Sequence, residues 1–180
     1  LVGSEMCIRD RFESFVDDSK SLQMARFYKQ QRLKLDILLT PDCQPQGGQW
    51  SFDAENRKKL PKDVQPPALP QAFENKHLAE VISLVAEVFA DHPGQAKDFW
   101  WPTTRAGALA WLDDFLQQRL AQFGPFEDAI SQRSDTLFHS ALSPLMNIGL
   151  LTPKEVVAAA LERAQTDDVP LASLEGFVRQ

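Results

Sequence analysis

Residues 138–151 read FHSALSPLMNIGLL, and four polar side chains interrupt this otherwise apolar stretch. His139 and Ser140 are followed by Ser143 and then by Asn147, at spacings of three and four positions. Because such spacings bring side chains onto one face of an α-helix, the pattern predicts a polar stripe on a helix. A helix that only buried an apolar surface would not need two hydroxyl groups and an imidazole.

Helix capping is the simpler interpretation of this stripe. Ser143 followed by Pro144 is typical of the start of a short helix, and Ser140 can cap an earlier turn. The alternative is an anion site, because a helix start and neighbouring hydroxyls together offer donors to a phosphate. The sequence has no glycine-rich phosphate loop that would offer a rival site. The residues alone leave both interpretations open.

The composition is that of a folded chain. The 180 residues are 43% hydrophobic and 24% charged, which is the globular range. The net charge of −6 argues against a general polyanion binder but permits a local basic patch. No apolar run is long enough to span a bilayer, so we expect no membrane contact. Cys7 and Cys43 show neither a metal-ligand spacing nor a disulfide framework, which favours a cytoplasmic protein.

Helical patterns fill the chain after residue 70. An apolar stripe of helical period begins at Leu78, and a second helix can be capped by Thr103 or Thr104. Residues 152–155 form a capping box that starts a further helix. No strand pattern of comparable quality follows residue 52, so we expect this region to be all-helical.

The segment before residue 70 differs in composition. Asp18 and Ser19 can cap a basic helix that Pro41 ends. Residues 41–70 carry six prolines and a Gly-Gly pair, a density typical of a loop or linker. A Trp-x-Phe motif lies within them, and large aromatics are unusual in flexible linkers. We therefore expect a long but ordered connection.

Five stretches, taken together and in this order, resemble one protein family. They are GGQWSFDAENRKKLP, WPTTRAGALAWLDDFL, FGPFEDAI, LFHSALSPLMNIGLLTPKEV and LEGFVRQ. The family is that of the deoxyribodipyrimidine photolyase-related proteins, which includes iron–sulfur bacterial cryptochromes and (6-4) photolyases. The resemblance covers the chain from about Phe12 to Gln180.

The resemblance implies a mainly α fold, the start of the helical FAD-binding domain of a photolyase or cryptochrome. Residues 12–40 would be the end of an N-terminal α/β antenna domain, of which the last helix is present. Residues 41–70 would be the interdomain connection, and residues 71–180 the truncated first part of the FAD-binding domain. Residues 1–11, LVGSEMCIRDR, look like read-through of a sequencing adapter, so we expect them to be non-native and the chain to be an internal fragment.

The polar stripe is similar to the T/H-S-x-L-S element that wraps the FAD phosphates in such proteins. The matching positions are His139, Ser140, Leu142 and Ser143, and spacing alone adds Asn147 one helical turn further. The resemblance implies that His139 contacts the cofactor and does not donate a proton. No residue is assigned a catalytic role, and no metal ligands are assigned.

The resemblance implies a flavin-dependent photolyase, driven by blue light, that repairs pyrimidine photoproducts of the (6-4) type by electron transfer from reduced FAD. A cryptochrome photoreceptor without repair activity is the alternative. A helical interaction domain without a cofactor is a third hypothesis, in which the polar stripe only caps helices.

We expect the protein to bind damaged DNA and to be a monomer. Arg57, Lys58 and Lys59 lie on the connection and are predicted to contact the DNA backbone, with a solvated loop as the simpler interpretation. An antenna chromophore of the ribolumazine type and a 4Fe-4S cluster are implied for the complete protein, though not by residues of this segment. The tryptophans, including Trp111, are interpreted as packing residues rather than as an electron relay.

Overall fold

The computed structural model describes residues 11–18, 20, 22–71 and 76–180, and it confirms the mainly α fold. These residues contain no β-sheet, and an isolated antiparallel bridge joins Leu39 to Pro45. Most of the segment predicted to be non-native lies outside the described residues. The helices are α1 (residues 11–18), α2 (Met24–Leu35), α3 (Lys76–Val88), α4 (Arg105–Gln118), α5 (Leu120–Phe123), α6 (Ser143–Asn147), α7 (Pro153–Thr166) and α8 (Leu171–Arg179).

The main core lies between α4, α5, α7 and α8. Phe115 of α4 is fully buried, and its ring lies 4.7 Å from that of Phe177 in α8 and 6.3 Å from that of Phe123 in α5. Gly124 lets α8 approach closely, because a Cβ there would meet the backbone of Ser173 at 2.7 Å. Each buried aromatic ring removes a large apolar area from water, so these contacts hold the helices together.

Both helix starts predicted from threonines are present in the structure. The Thr104 hydroxyl accepts a hydrogen bond from the Gly107 N–H at 3.1 Å, which caps α4. Thr152 and Glu155 form the predicted capping box at the start of α7, with Pro153 in the first turn. Such local signals are readable because they satisfy N–H groups that the helix itself leaves unpaired.

The predicted bounds of the basic helix α2 were wrong at both ends. The helix begins at Met24 after Gln23, which makes no side-chain cap, whereas Asp18 belongs to α1 and Ser19 lies outside the described residues. It ends at Asp36, which has a left-handed φ of 53°, and not at Pro41. A tertiary contact decides this end, because the buried Arg32 guanidinium donates to the carbonyls of Ile37, Leu38 and Trp50.

The apolar stripe of α3 does not join the main core. Val81, Val88 and Phe89 are 53%, 57% and 48% exposed. Part of the stripe lines an open groove of about 450 Å³ together with the 3-10 turn Ala96–Asp98 and Phe99. The periodicity predicted the helix correctly, but it could not specify which surface would cover its apolar face.

Candidate functional site

A sharp turn precedes α6 and contains the first half of the polar stripe. Ala141 has a left-handed φ of 52° and Leu137 one of 49°, so the backbone between them cannot be helical. Helix α6 therefore starts at Ser143 and has only five residues. The expectation that all four polar residues share one helical face was wrong, because His139 and Ser140 precede the helix.

The two serines lie on either side of this change in backbone direction. Ser140 is half-buried in the turn and Ser143 is exposed at the first position of α6. Neither hydroxyl makes a hydrogen bond with another residue of the described chain, and no side chain caps α6. The capping interpretation thus has no hydrogen bond to support it. Asn147, exposed at the end of α6, lies one turn from Ser143 on the same helical face.

One of the two ring nitrogens of His139 contacts a backbone carbonyl. Its Nε2 lies 3.1 Å from the backbone carbonyl oxygen of Glu127, and its ring meets that of Phe123 edge-on at 5.5 Å. A carbonyl can only accept a hydrogen bond, so Nε2 must carry a proton. The other nitrogen, Nδ1, is the atom through which His139 can contact a ligand.

Two indole groups hold the backbone of the turn. The Nε1 of Trp111 donates to the Ser140 carbonyl at 3.1 Å, and the Nε1 of Trp101 donates to the Ala141 carbonyl at 3.2 Å. Leu142, 1% exposed, anchors the next position in the core, so its side chain is not accessible to a ligand. Two indole N–H groups and the buried Leu142 side chain thus hold the backbone of the turn, and its polar side chains are the groups that remain available for binding.

The basic residues of the connection differ in how free they are. Arg57 forms an ion pair with Asp53 and lies 3.7 Å from the carboxylate of Asp128. Lys58 and Lys59 are exposed, and among the described residues neither ammonium group has an ion-pair partner. The structure therefore leaves the two lysines better suited to a phosphate contact than Arg57.

The structure contains a buried polar network that the sequence patterns did not predict. The Glu175 carboxylate of α8, fully buried, accepts hydrogen bonds from the Tyr28 hydroxyl at 2.7 Å and from the Phe52 N–H at 2.9 Å. The Glu127 carboxylate accepts from Asn56 at 2.8 Å and from Arg179 at 3.0 Å. Glutamate and arginine four positions apart in LEGFVRQ, beside apolar residues, were the signal that could have found it.

This network connects the beginning of the chain to the turn. Arg179 lies within 3.4 Å of Glu175 and 3.0 Å of Glu127, so one guanidinium serves both buried carboxylates. The backbone carbonyl of the same Glu127 contacts His139. The motifs SFDAENR and LEGFVRQ are therefore paired in space, and together they support the loop on which the His139 ring rests.

The described residues contain no cluster of three or more histidine, cysteine, aspartate or glutamate side chains that could hold a metal ion. Among the same residues, no helix combines the length and apolar character needed to cross a membrane.

Comparison with known proteins decides the family. The family model of the deoxyribodipyrimidine photolyase-related proteins matches residues 5–101, more than half of the chain. The chain belongs to this family. A (6-4) photolyase of Agrobacterium fabrum is 37% identical over 169 residues, which are 94% of the chain and 33% of that protein. The chain thus spans about a third of the length of this curated relative.

A second relative of this photolyase-related chain is an uncharacterized protein of Acanthamoeba polyphaga mimivirus. It is 38% identical over 56 residues, which are 31% of the chain and 43% of that protein. The family match includes the Trp-x-Phe motif of the connection, and it ends at Trp101, one of the two indoles that hold the turn.

The turn of this photolyase-related protein carries polar side chains that can hydrogen-bond to an anion. The stretch from Leu137 to Asn147 contains no aspartate or glutamate, so its own side chains bring no negative charge to an anion. Within the described part of the chain, the hydroxyls of Ser140 and Ser143 have no hydrogen bond to replace when a ligand binds. The side chains that fit are the two serines, with the Nδ1 of His139 and the amide of Asn147 as further polar groups.

Proposed function

We propose that the chain is part of a longer flavin-dependent DNA photolyase of the (6-4) type, in which the turn before α6 binds the phosphates of FAD. Membership of the photolyase-related family and the relative named (6-4) photolyase support this proposal. The observation that carries the site is the pair of hydroxyls, Ser140 and Ser143, which have no hydrogen-bond partner among residues 11–18, 20, 22–71 and 76–180 and lie on a turn whose backbone two indoles hold.

The roles of the side chains follow from their positions. Ser140 and Ser143 would donate hydrogen bonds to phosphate oxygens, and such bonds to a charged acceptor are stronger than those between neutral groups. While its Nε2 stays bound to the Glu127 carbonyl, His139 would contact the same ligand through Nδ1, accepting from a ligand hydroxyl or, with both ring nitrogens protonated, donating to a phosphate oxygen. Bound FAD, once reduced, would supply the light-driven electron donation to a DNA lesion, and the protein's share is to position the cofactor.

Damaged DNA is the proposed partner, and Lys58 and Lys59 would contact its phosphates in the complete protein. The lesion would leave the duplex to reach the cofactor, as in other enzymes that act on a base. The ribolumazine-type antenna, the 4Fe-4S cluster, the monomeric state and the cytoplasmic location remain predictions of the family resemblance.

A paired substitution tests the phosphate site. In the complete protein, replacing Ser140 and Ser143 by alanine should raise the dissociation constant of FAD by at least about tenfold, because two charge-assisted hydrogen bonds are lost. Riboflavin, which has no phosphate, should bind both proteins equally. Ser83→Ala is the matched control, since Ser83 lies on α3, away from the turn, and its hydroxyl donates to the Ala79 carbonyl of the same helix. Unchanged FAD affinity in the double variant would contradict the site.

Two further experiments test the rest of the proposal. The 180-residue chain alone should bind FAD weakly or not at all in an absorbance titration, because two thirds of the relative's length, and with it most of the expected pocket, are missing. The complete protein should repair (6-4) lesions under blue light. A complete protein that binds FAD yet leaves the lesions unrepaired would favour a cryptochrome photoreceptor.

A further inference from the structure

The turn that carries Ser140 has an unfavourable backbone. Ala141 adopts a left-handed φ of 52°, a region in which its Cβ crowds the neighbouring carbonyl. Such a conformation persists in a residue other than glycine only where surrounding contacts enforce it. Something outside the turn must therefore hold it in place.

Two consecutive carbonyls of the turn receive indole N–H groups. Trp111 donates to the Ser140 carbonyl at 3.1 Å and Trp101 donates to the Ala141 carbonyl at 3.2 Å. Indole is a donor only, and its ring has few rotamers, so each bond fixes the direction of one peptide plane. The two peptide planes on either side of the Ala141 Cα are thereby oriented together.

The two indoles belong to one block of packed tryptophan rings. Trp100 stacks on Trp101 with ring centroids 3.7 Å apart, and its ring lies 5.6 Å from that of Trp111. Trp111 is 2% exposed on α4, whose first turn is tied to α7 by the ion pair of Arg105 with Glu155. Trp111 thus ties the turn to α4 of the helical core.

We propose that Trp101 and Trp111 are positioning residues of the cofactor-phosphate site. Their N–H groups bond to the carbonyls on either side of the left-handed Ala141, and they would thereby fix the backbone that carries Ser140 directly before α6. The proposal rests on the proposed function of the turn. Trp100, although part of the same block, has no hydrogen bond to the turn among the described residues and serves only to pack the other two.

Conservative substitutions in the complete flavoprotein test this role. Trp101→Phe and Trp111→Phe keep an aromatic ring but lose the N–H, and each should weaken FAD binding about fivefold, the scale of one hydrogen bond. Trp100→Phe is the matched control and should change FAD affinity less than about twofold. Because Trp111 is buried and its truncation could unfold the protein, the half-buried Trp101 provides a second variant, and thermal unfolding is measured for each.

A rescue experiment separates positioning from simple loss of stability. Glycine adopts the left-handed region without steric cost, so Ala141→Gly added to Trp101→Phe should restore most of the FAD affinity. Amide hydrogen exchange of residues 138–143 in the flavin-free protein should be faster in Trp101→Phe and Trp111→Phe. Wild-type FAD affinity in both variants, an equal loss in Trp100→Phe, or no rescue by glycine would overturn the proposal.

The failure of this inference can be told apart from failure of the proposed function. If Ser140→Ala with Ser143→Ala leaves FAD affinity unchanged, the phosphate site itself is wrong. If that pair weakens FAD binding while the two tryptophan variants do not, the site stands and the indole groups are not needed to position it.

Discussion

The carboxylate of Glu175 accepts a hydrogen bond from the hydroxyl of Tyr28 at 2.7 Å, although 147 positions separate the two residues. This bond joins α8, at the end of the chain, to α2, near its beginning. Burial of the phenol is the first cause that raises the pKa of Tyr28 above its ordinary value, and the hydrogen bond and charge of Glu175 add to it. The contact therefore joins two distant helices, and the titration of the Tyr28 hydroxyl can be used to detect it.

The alkaline titration of Tyr28 tests this tie directly, because Tyr28 is the single tyrosine of the chain. A raised pKa in the folded state means that the stabilisation is present below the unfolded value of about 10 and is lost as pH rises towards the folded value. Tyrosinate absorbance should therefore appear only well above pH ~10, or together with unfolding. Titration of the folded protein at the ordinary value would contradict the network.

Removing the phenol hydroxyl should also lower stability at neutral pH. Tyr28→Phe leaves one oxygen of the buried Glu175 without a donor from α2, which should reduce the free energy of unfolding by about 1–3 kcal/mol in urea denaturation. In a double-mutant cycle with Glu175→Gln, the losses of unfolding free energy in the two single variants should sum to more than the loss in the double variant. Strict additivity would mean that the two side chains do not interact.

Gly176 should not tolerate alanine, although it lies in a helix. A Cβ at this position would be 2.5 Å from the Asn56 amide nitrogen and 2.8 Å from the Glu127 carboxylate. Both atoms belong to the buried network, so the added methyl group would overpack it. Overpacking should destabilise the fold by about 1–3 kcal/mol, which exceeds the gain of about 1 kcal/mol from the higher helix propensity of alanine. Urea denaturation of Gly176→Ala should show net destabilisation.

The control for Gly176→Ala is Ala158→Gly at an exposed position of α7, which measures the propensity difference without any packing change. If Gly176→Ala proves more stable than the wild type by the amount that Ala158→Gly loses, helix α8 must be able to move away from Asn56.

Acid should weaken the start of α7 through Glu155. The hydrogen bond from Arg105, followed by those from Thr152, lowers the pKa of Glu155 to about 2. The stabilisation is therefore complete above the ordinary value of about 4.3 and is lost as pH falls towards 2. Glu155→Gln should lower the thermal midpoint at neutral pH and reduce its decline over this acid range. Since the Glu155 side chain is 41% exposed, the loss at neutral pH should stay below about 1 kcal/mol.

Glu162→Gln on the same helix is the control for Glu155, because Glu162 is exposed and has no hydrogen bond or ion pair among the described residues. An equal effect of both substitutions on the acid transition would show that general charge, and not the capping box, sets the pH dependence.

The two lysines of the connection should account for part of the salt dependence of DNA binding by the complete protein. If each contacts one phosphate, Lys58→Ala and Lys59→Ala should each lower the slope of log affinity against log salt by about 0.9. Arg57→Ala should change the slope less, because Asp53 and Asp128 already compensate the Arg57 charge. Equal slopes for the lysine variants and the wild type would leave the connection as a solvated loop.

Much of the fold could be predicted because its signals are local. The caps at Thr104 and Thr152 and the periodic apolar stripes depend on neighbours within one or two helical turns, and they located α3, α4 and α7. The end of α2 and the exposure of the α3 stripe were not predictable in this way. Helix α2 ends where it does because Arg32 donates to carbonyls beyond the helix. The exposure of the α3 stripe depends on which surface that helix meets.

The polar residues of the candidate site were readable from the sequence, but their arrangement was not. Spacing placed His139 and Ser140 on a helix, whereas a left-handed Ala141 puts them before it. The amino-acid sequence by itself determined the helical character, the family motifs and the presence of two serines near residue 140. Only the tertiary structure decided that indole groups 29 and 40 positions away hold the turn, and that Glu175 meets Tyr28. Periodicity reports a residue's local neighbours, whereas these hydrogen bonds exist only once distant segments have packed together.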